Sequence, residues 1–106
     1  MDIERNFHMN IIKTLTENTL TFKLSGRLDT INAPKLESEL KPALGGITEL
    51  IFDFAEIEYI SSAGLRVLLA AQKIMNKQGS MIVKNVNEAV NEVFEITGFV
   101  DILTIE

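Results

Sequence analysis

A chain of 106 residues, 46% of them hydrophobic, is long enough to bury one continuous core and too short for two domains. It has no cysteine, which excludes disulfides, thiolate metal sites and thiol catalysis. Its net charge of -5, with ten basic residues scattered among fifteen acidic ones, argues against nucleic acid as the main partner, because phosphate binding draws its affinity from clustered Lys and Arg.

No apolar run approaches the roughly 20 residues of a membrane span. Met1-Asp2-Ile3-Glu4-Arg5 also lacks the basic-then-apolar build of a signal peptide. The expectation is a soluble, cytoplasmic protein without membrane insertion. His8 to Leu15 and Thr19 to Leu24 read as two strands joined at Glu17-Asn18 into a hairpin, the second alternating Leu20, Phe22 and Leu24 against Thr21 and Lys23. His8 is the sole histidine and has no acid, Cys or second His at ligand spacing, so neither a metal nor a catalytic role is expected of it. Ser25-Gly26-Arg27-Leu28-Asp29 then leaves the sheet, with Asp29 satisfying local backbone amides as a turn residue.

A helix should begin near Pro34, where a missing N–H costs nothing, with Leu36, Leu40 and Leu44 on one face. Pro42 should end or kink its regular part near Lys41, and Gly45-Gly46 closes the segment. That glycine pair has neither the spacing nor the Lys of a phosphate-binding loop. Leu50-Ile51-Phe52-Asp53 reads as a strand ending on an acid, followed by a short polar loop and the pair Ser61-Ser62. Ser62 is the expected N-cap of a helix reaching about Gln78, and it is displayed beside the small residues Ala63 and Gly64. A phosphate there would meet first-turn amides and the positive end of the macrodipole.

Leu65, Val67, Leu68, Leu69, Ala70, Ala71, Ile74 and Met75 occupy more than one face of that helix, and Arg66, Lys73 and Lys77 form a single polar stripe. The helix is therefore either largely buried or partly covered by a partner. Asn76-Lys77-Gln78-Gly79 stops it. Ser80 to Asn85 gives a short strand, and Asn87 caps a helix carrying Val90, Val93, Phe94 and Thr97 up to Gly98. Asp101 to Ile105 closes with a last strand. The reading is a single α/β domain over residues 1–106, a mixed and mostly parallel sheet with an N-terminal hairpin and βα units, in the order β-β-α-β-α-β-α-β.

A serine nucleophile needs an adjacent base; the one His lies in the opening strand, and Gly-x-Ser-x-Gly, paired carboxylates in a pocket motif and any metal set are missing. A non-enzyme is expected. The segment Tyr59-Ile60-Ser61-Ser62-Ala63-Gly64-Leu65 resembles the signature of the STAS domain, the fold of bacterial anti-sigma factor antagonists, in which an Asp-Ser-Ser/Thr-Gly-Leu motif carries the phosphorylated serine. Ser25 to Asp29 with Ala33-Pro34-Lys35-Leu36 resembles the family's first motif, Leu50 to Asp53 its strand ending in Asp, and Val93 to Phe99 its last helix and turn. Two positions differ from the motif: Ser61 stands in place of Asp, and Ala63 in place of the second hydroxyl. Arg27 also replaces an acid found in several antagonists.

Position by position, the resemblance implies Ser62 as phosphoacceptor with Ser61 a possible second one, and Asp29, Ser61, Ser62, Gly64 and Arg66 as partner-binding residues. It further implies an anti-sigma factor with serine kinase activity and a serine phosphatase as partners, and no cofactor of the chain's own, ATP belonging to the kinase. A second implied role is an adaptor subunit of a lipid transporter or signalling assembly, without a phosphorylation cycle.

Overall fold

In the computed structural model, residues 9–106 are described, and His8 with the opening residues before it lies outside them. Strand β1, Met9–Thr16, turns at Glu17-Asn18 and pairs antiparallel with β2, Thr19–Leu28. Glu17 takes a positive φ of 56° to make the turn. The carbonyl of Asn18 then accepts the amides of Thr48 and Glu49, at 2.9 and 3.2 Å, which ties the hairpin to the start of β3, Glu49–Ile60. The strands β2, β3 and β4, Ser80–Lys84, run parallel, and the sheet order is β1-β2-β3-β4.

Register sorts the strand residues into two faces. Leu20, Leu50 and Met81 sit side by side, as do Phe22, Phe52 and Val83, and all six are buried. Helices α1, Ala33–Leu40, α2, Ser62–Gln78, and α3, Glu88–Thr97, contribute Leu36, Leu40, Leu65, Leu68, Met75, Val90 and Phe94 to that one core. On the other face the neighbouring row is Lys23, Asp53 and Lys84. The Asp53 carboxylate accepts from the Asn85 side chain and the Ala55 amide, each at 3.0 Å. These bonds, the Asn85 one foremost, and the two flanking lysines hold its pKa below the ordinary aspartate value against the opposing effect of burial.

Pro42 limits α1 as expected: the regular helix ends at Leu40 and a 3-10 turn, Lys41–Ala43, takes over. In α2 the apolar surplus is resolved by burial. Arg66, Lys73 and Lys77 are exposed while Leu69, Ala70 and Ile74 are half-buried, so no apolar side chain of this helix stands free for a partner. At its C-terminal end Gln78 donates to the carbonyls of Leu44 and Ile47, both at 2.7 Å, which fixes the connection between α1 and β3.

Three expectations are corrected. First, β2 does not leave the sheet at Ser25, and β3 does not become a loop after Phe54; the two strands continue together to Leu28 and Ile60. Between Lys23/Ser25 and Gly26/Arg27 the register slips, each time placing one extra residue on β3, so the buried positions of β3 step by three, from Phe54 to Ile57 to Ile60. That spacing hides the alternation by which a strand is read. Gly26, at φ 100°, takes the kink on the β2 side. Second, Ser61 rather than Ser62 is the N-cap of α2. Third, the closing strand shrinks to one parallel bridge between Val83 and Ile105, because a 3-10 turn at Phe99–Asp101 occupies the residues before it.

Candidate functional site

Because β4 pairs only with Glu49 to Asp53, the distal half of β3 projects beyond it beside β2, which β1 accompanies up to Gly26, and the chain's displayed serine stands at the end of that projection. Asn87 supports it from one side: its carboxamide caps α3 by accepting from the Val90 amide at 2.8 Å and donates to the Ile57 carbonyl at 2.8 Å. The two strand ends are joined directly, since the Ser61 amide donates to the Leu28 carbonyl at 2.9 Å.

The turn from β2 into α1 is built around Asp29. One carboxylate oxygen accepts the amides of Ile31 and Asn32, at 3.1 and 3.0 Å, while the Asp29 carbonyl accepts the Ala33 amide at 2.8 Å. Asn32 donates its side-chain amide back to the Arg27 carbonyl at 2.9 Å. Asp29 is thus committed to shaping the turn, the structural role its position in the sequence suggested. Its second oxygen lies 3.6 Å from the Arg27 guanidinium, which itself stacks 4.4 Å from the centre of the Tyr59 ring across the strand pair.

The start of α2 separates the two serines. The Ser61 hydroxyl accepts the Gly64 amide at 3.4 Å, a long capping bond, and the Ser61 carbonyl opens the helix by accepting from Leu65 at 3.0 Å. Ser62 follows as the first helical residue, exposed, with its hydroxyl free of this duty. The amides of Ser62 and Ala63 precede the first intrahelical bond and are available to an anion. Of the five residues expected to form the site, the structure gathers all at one end of the sheet, but not in one role. Ser62 and Arg66 are exposed, Ser61 is half-buried in its cap, Asp29 holds the turn, and Gly64 is buried.

Gly64 acts as a spacer. A Cβ at this position would come within 2.8 Å of both the Leu28 carbonyl oxygen and its Cγ, and within 2.9 Å of Ile60 Cγ1. The helix start therefore lies flat on the joined strand ends only because this side chain is missing. Gly64→Ala is expected to destabilise the fold by about 1 to 2 kcal/mol, the overpacking cost outweighing the better helix propensity of alanine. Urea unfolding checks this, and unchanged or increased stability would show that the helix start can move away.

In the turn after β2 Ile31 is 69% exposed, and near the end of β3 Tyr59 is 42% exposed. A shallow groove of about 290 Å³ runs between Thr30, Pro34 and Glu37 on one side and Ala63, Arg66 and Val67 on the other. Sequence reading missed Tyr59, Ile31 and Glu37. Tyr59 was within reach, since it faces Arg27 once β3 is continued past its irregularities; Ile31 had no signal beyond being apolar in a turn. Among the described residues no group of three or more His, Asp or Glu is placed to hold a metal ion, and no helix is long and apolar enough to cross a membrane.

Fold and site together define a single α/β domain with a mixed four-stranded sheet that presents a serine on the first turn of its second helix. The chain belongs to the STAS domain family, whose model matches residues 10–106. It is 39% identical over 84 residues to BtrV of Bordetella bronchiseptica, named among the anti-sigma factor antagonists, covering 77% of this chain and 72% of that one. It is 30% identical over 99 residues to the anti-sigma-B factor antagonist of Bacillus subtilis, covering 92% and 91%. Among solved structures, an anti-sigma factor antagonist from Mycobacterium paratuberculosis superposes with a TM-score of 0.84 at 20% identity, over 92% of this chain and 85% of that one. SpoIIAA of Bacillus in its phosphorylated form gives 0.71 at 20%, over 93% and 91%. A sulfate transporter family protein from Wolinella succinogenes gives 0.73 at 17%, over 86% and 75%. These three likenesses are likenesses of fold.

Proposed function

We infer that the chain is a cytoplasmic, non-enzymatic anti-sigma factor antagonist that works by partner switching. Unmodified, it binds an anti-sigma factor and so releases the sigma factor; phosphorylation of Ser62 by that partner's serine kinase activity breaks the complex, and a serine phosphatase restores it. The observation that carries this reading is the exposed Ser62 hydroxyl, set free because its neighbour Ser61 does the capping. The relatives named as antagonists support it, the B. subtilis protein over nearly its full length. The partner surface consists of the first turn of α2 with Ser62 and Arg66, the adjoining groove, and Ile31 and Tyr59.

Calorimetric titration of the unmodified chain with a kinase-type anti-sigma factor of the same organism tests this directly. Saturable one-to-one binding is expected. Arg66→Glu should weaken that binding about tenfold or more, by placing like charge where the partner meets a cation, and leave the melting temperature within a degree or two of wild type. Equal loss of binding and stability would make Arg66 a structural residue. A second reading, an adaptor subunit of a transporter or signalling assembly, is favoured by Ser61 in the place of Asp and by the shared fold of the sulfate transporter family protein. Transporter genes in place of a kinase gene beside this one, with no binding to any anti-sigma factor, would select it.

A further inference from the structure

Arg66 follows Ser62 by four residues on α2, so the two side chains rise from the same helix face one turn apart, with Cβ atoms roughly 5 to 6 Å from each other. Both are exposed, and among the described residues no acid lies within ion-pair distance of Arg66, whereas Arg27 is already placed against Asp29 and Tyr59. In the unmodified chain Arg66 and Glu37 both line the groove, and Glu37 has Lys41 as its own neighbour at 3.6 Å. An anion N-terminal to a cation at this spacing is the favourable order on a helix, and the guanidinium fork matches phosphate oxygens two at a time.

We propose that Arg66 is the internal counter-ion of a phosphate on Ser62: on modification its guanidinium leaves the groove and closes on the phosphate. This deepens the reading of Ser62 as phosphoacceptor and rests on it. One modification then alters the partner surface at two points, adding negative charge at the helix start and withdrawing the cation from the groove that Glu37 also lines. Phosphorylation is thereby tied to the shape and charge of the groove as well as to the serine. The fold is not involved, since neither side chain takes part in the core.

The test installs phosphoserine at position 62 during translation of the full chain, so that no kinase is needed, and follows its second ionisation by phosphorus NMR. The charged groups that face the site are Arg66 on α2, Glu37 on α1, and the Arg27 and Asp29 pair at the end of β2. Wild type is expected to titrate roughly 0.15 to 0.4 pH unit below Arg66→Met, because the cation favours the doubly charged phosphate. Arg66→Lys should recover part of the difference, 1 M salt should shrink it, and Arg27→Met should leave it unchanged. Superimposable curves for wild type and Arg66→Met, or a shift carried by Arg27, would overturn the proposal while leaving the phosphorylation switch standing. Failure of a verified kinase to modify Ser62 would instead remove the switch, an outcome this titration does not depend on.

Discussion

A phosphate on Ser62 is expected to cost the partner complex a hundredfold or more in affinity while leaving the domain folded. It adds about -1.5 to -2 charge, taking the chain from -5 to roughly -7, all at one point. The folded state tolerates this, because Ser62 is exposed on the first turn of α2, where unbonded amides and the macrodipole favour an anion by up to about 1 kcal/mol. A partner covering the same turn has to bury the phosphate or stand away from it. A single guanidinium at Arg66 offsets only part of the phosphate's charge, and leaving the remainder buried and unpaired costs about 3 to 5 kcal/mol, which at 1.4 kcal/mol per tenfold is more than a hundredfold.

Ser62→Ala should therefore bind the anti-sigma factor whether or not kinase and ATP are supplied, and Ser62→Asp should bind poorly yet melt near wild type. Ser61→Ala separates the two hydroxyls. It should still accept one phosphate and lose about 0.5 to 1 kcal/mol of stability with its cap, at the low end because the capping bond is long. Mass spectrometry that placed the modification on Ser61, or found none with a verified kinase, would defeat the assignment.

How much of this was legible before the structure depends on which physical signal each residue carries. The helices were readable because caps and stops are local: Asn87 before Glu88, Gly98 in the left-handed region after Thr97, and Pro42 just past the regular end of α1 are each decided by neighbours in sequence. The projecting ends of β2 and β3 were not readable. Two register slips put extra residues on β3, and period-two alternation is lost wherever a partner strand, not the sequence, sets the spacing. The same hidden segment carries Tyr59, so half of the site's aromatic and cationic pairing went unseen with it. The serines show the limit most plainly: either could cap a helix by its chemistry, and the choice of Ser61 follows from its amide being held by Leu28 on a neighbouring strand. The motif resemblance pointed to Ser62 for phosphate, and the structure shows of the two serines that Ser61 caps the helix while Ser62 stands exposed on its first turn.

The largest loss of stability is expected where the projecting strands are held to the last helix. Phe22 on β2, Phe52 and Phe54 on β3 and Phe94 on α3 form one continuous row of fully buried rings, with successive centroids at 5.8, 6.3 and 6.4 Å and tilted or edge-on planes. Phe54 is the link at which the row passes from sheet to helix, and it lies within the first register slip, between Asp53 and Glu56. Phe54→Ala should cost about 3 to 5 kcal/mol in urea unfolding, the transfer and cavity terms together, a large share of the 5 to 15 kcal/mol typical of a domain. Phe54→Leu, which refills most of the volume, should cost clearly less. If the ring contact with Phe94 matters beyond bulk, the Phe54→Ala and Phe94→Ala losses should fall short of additivity by about 0.5 to 1.5 kcal/mol. Strict additivity would mean that α3 is held by area alone. Since α3 buttresses the projection through Asn87 as well, loosening this row should also reach the serine: α2 begins where β3 ends, so a slack Ile57 to Ile60 segment shifts Ser61 against Leu28. Faster hydrogen exchange at the Ser61 amide in Phe94→Ala than in wild type, at a denaturant concentration where both remain folded, is the result that this coupling requires.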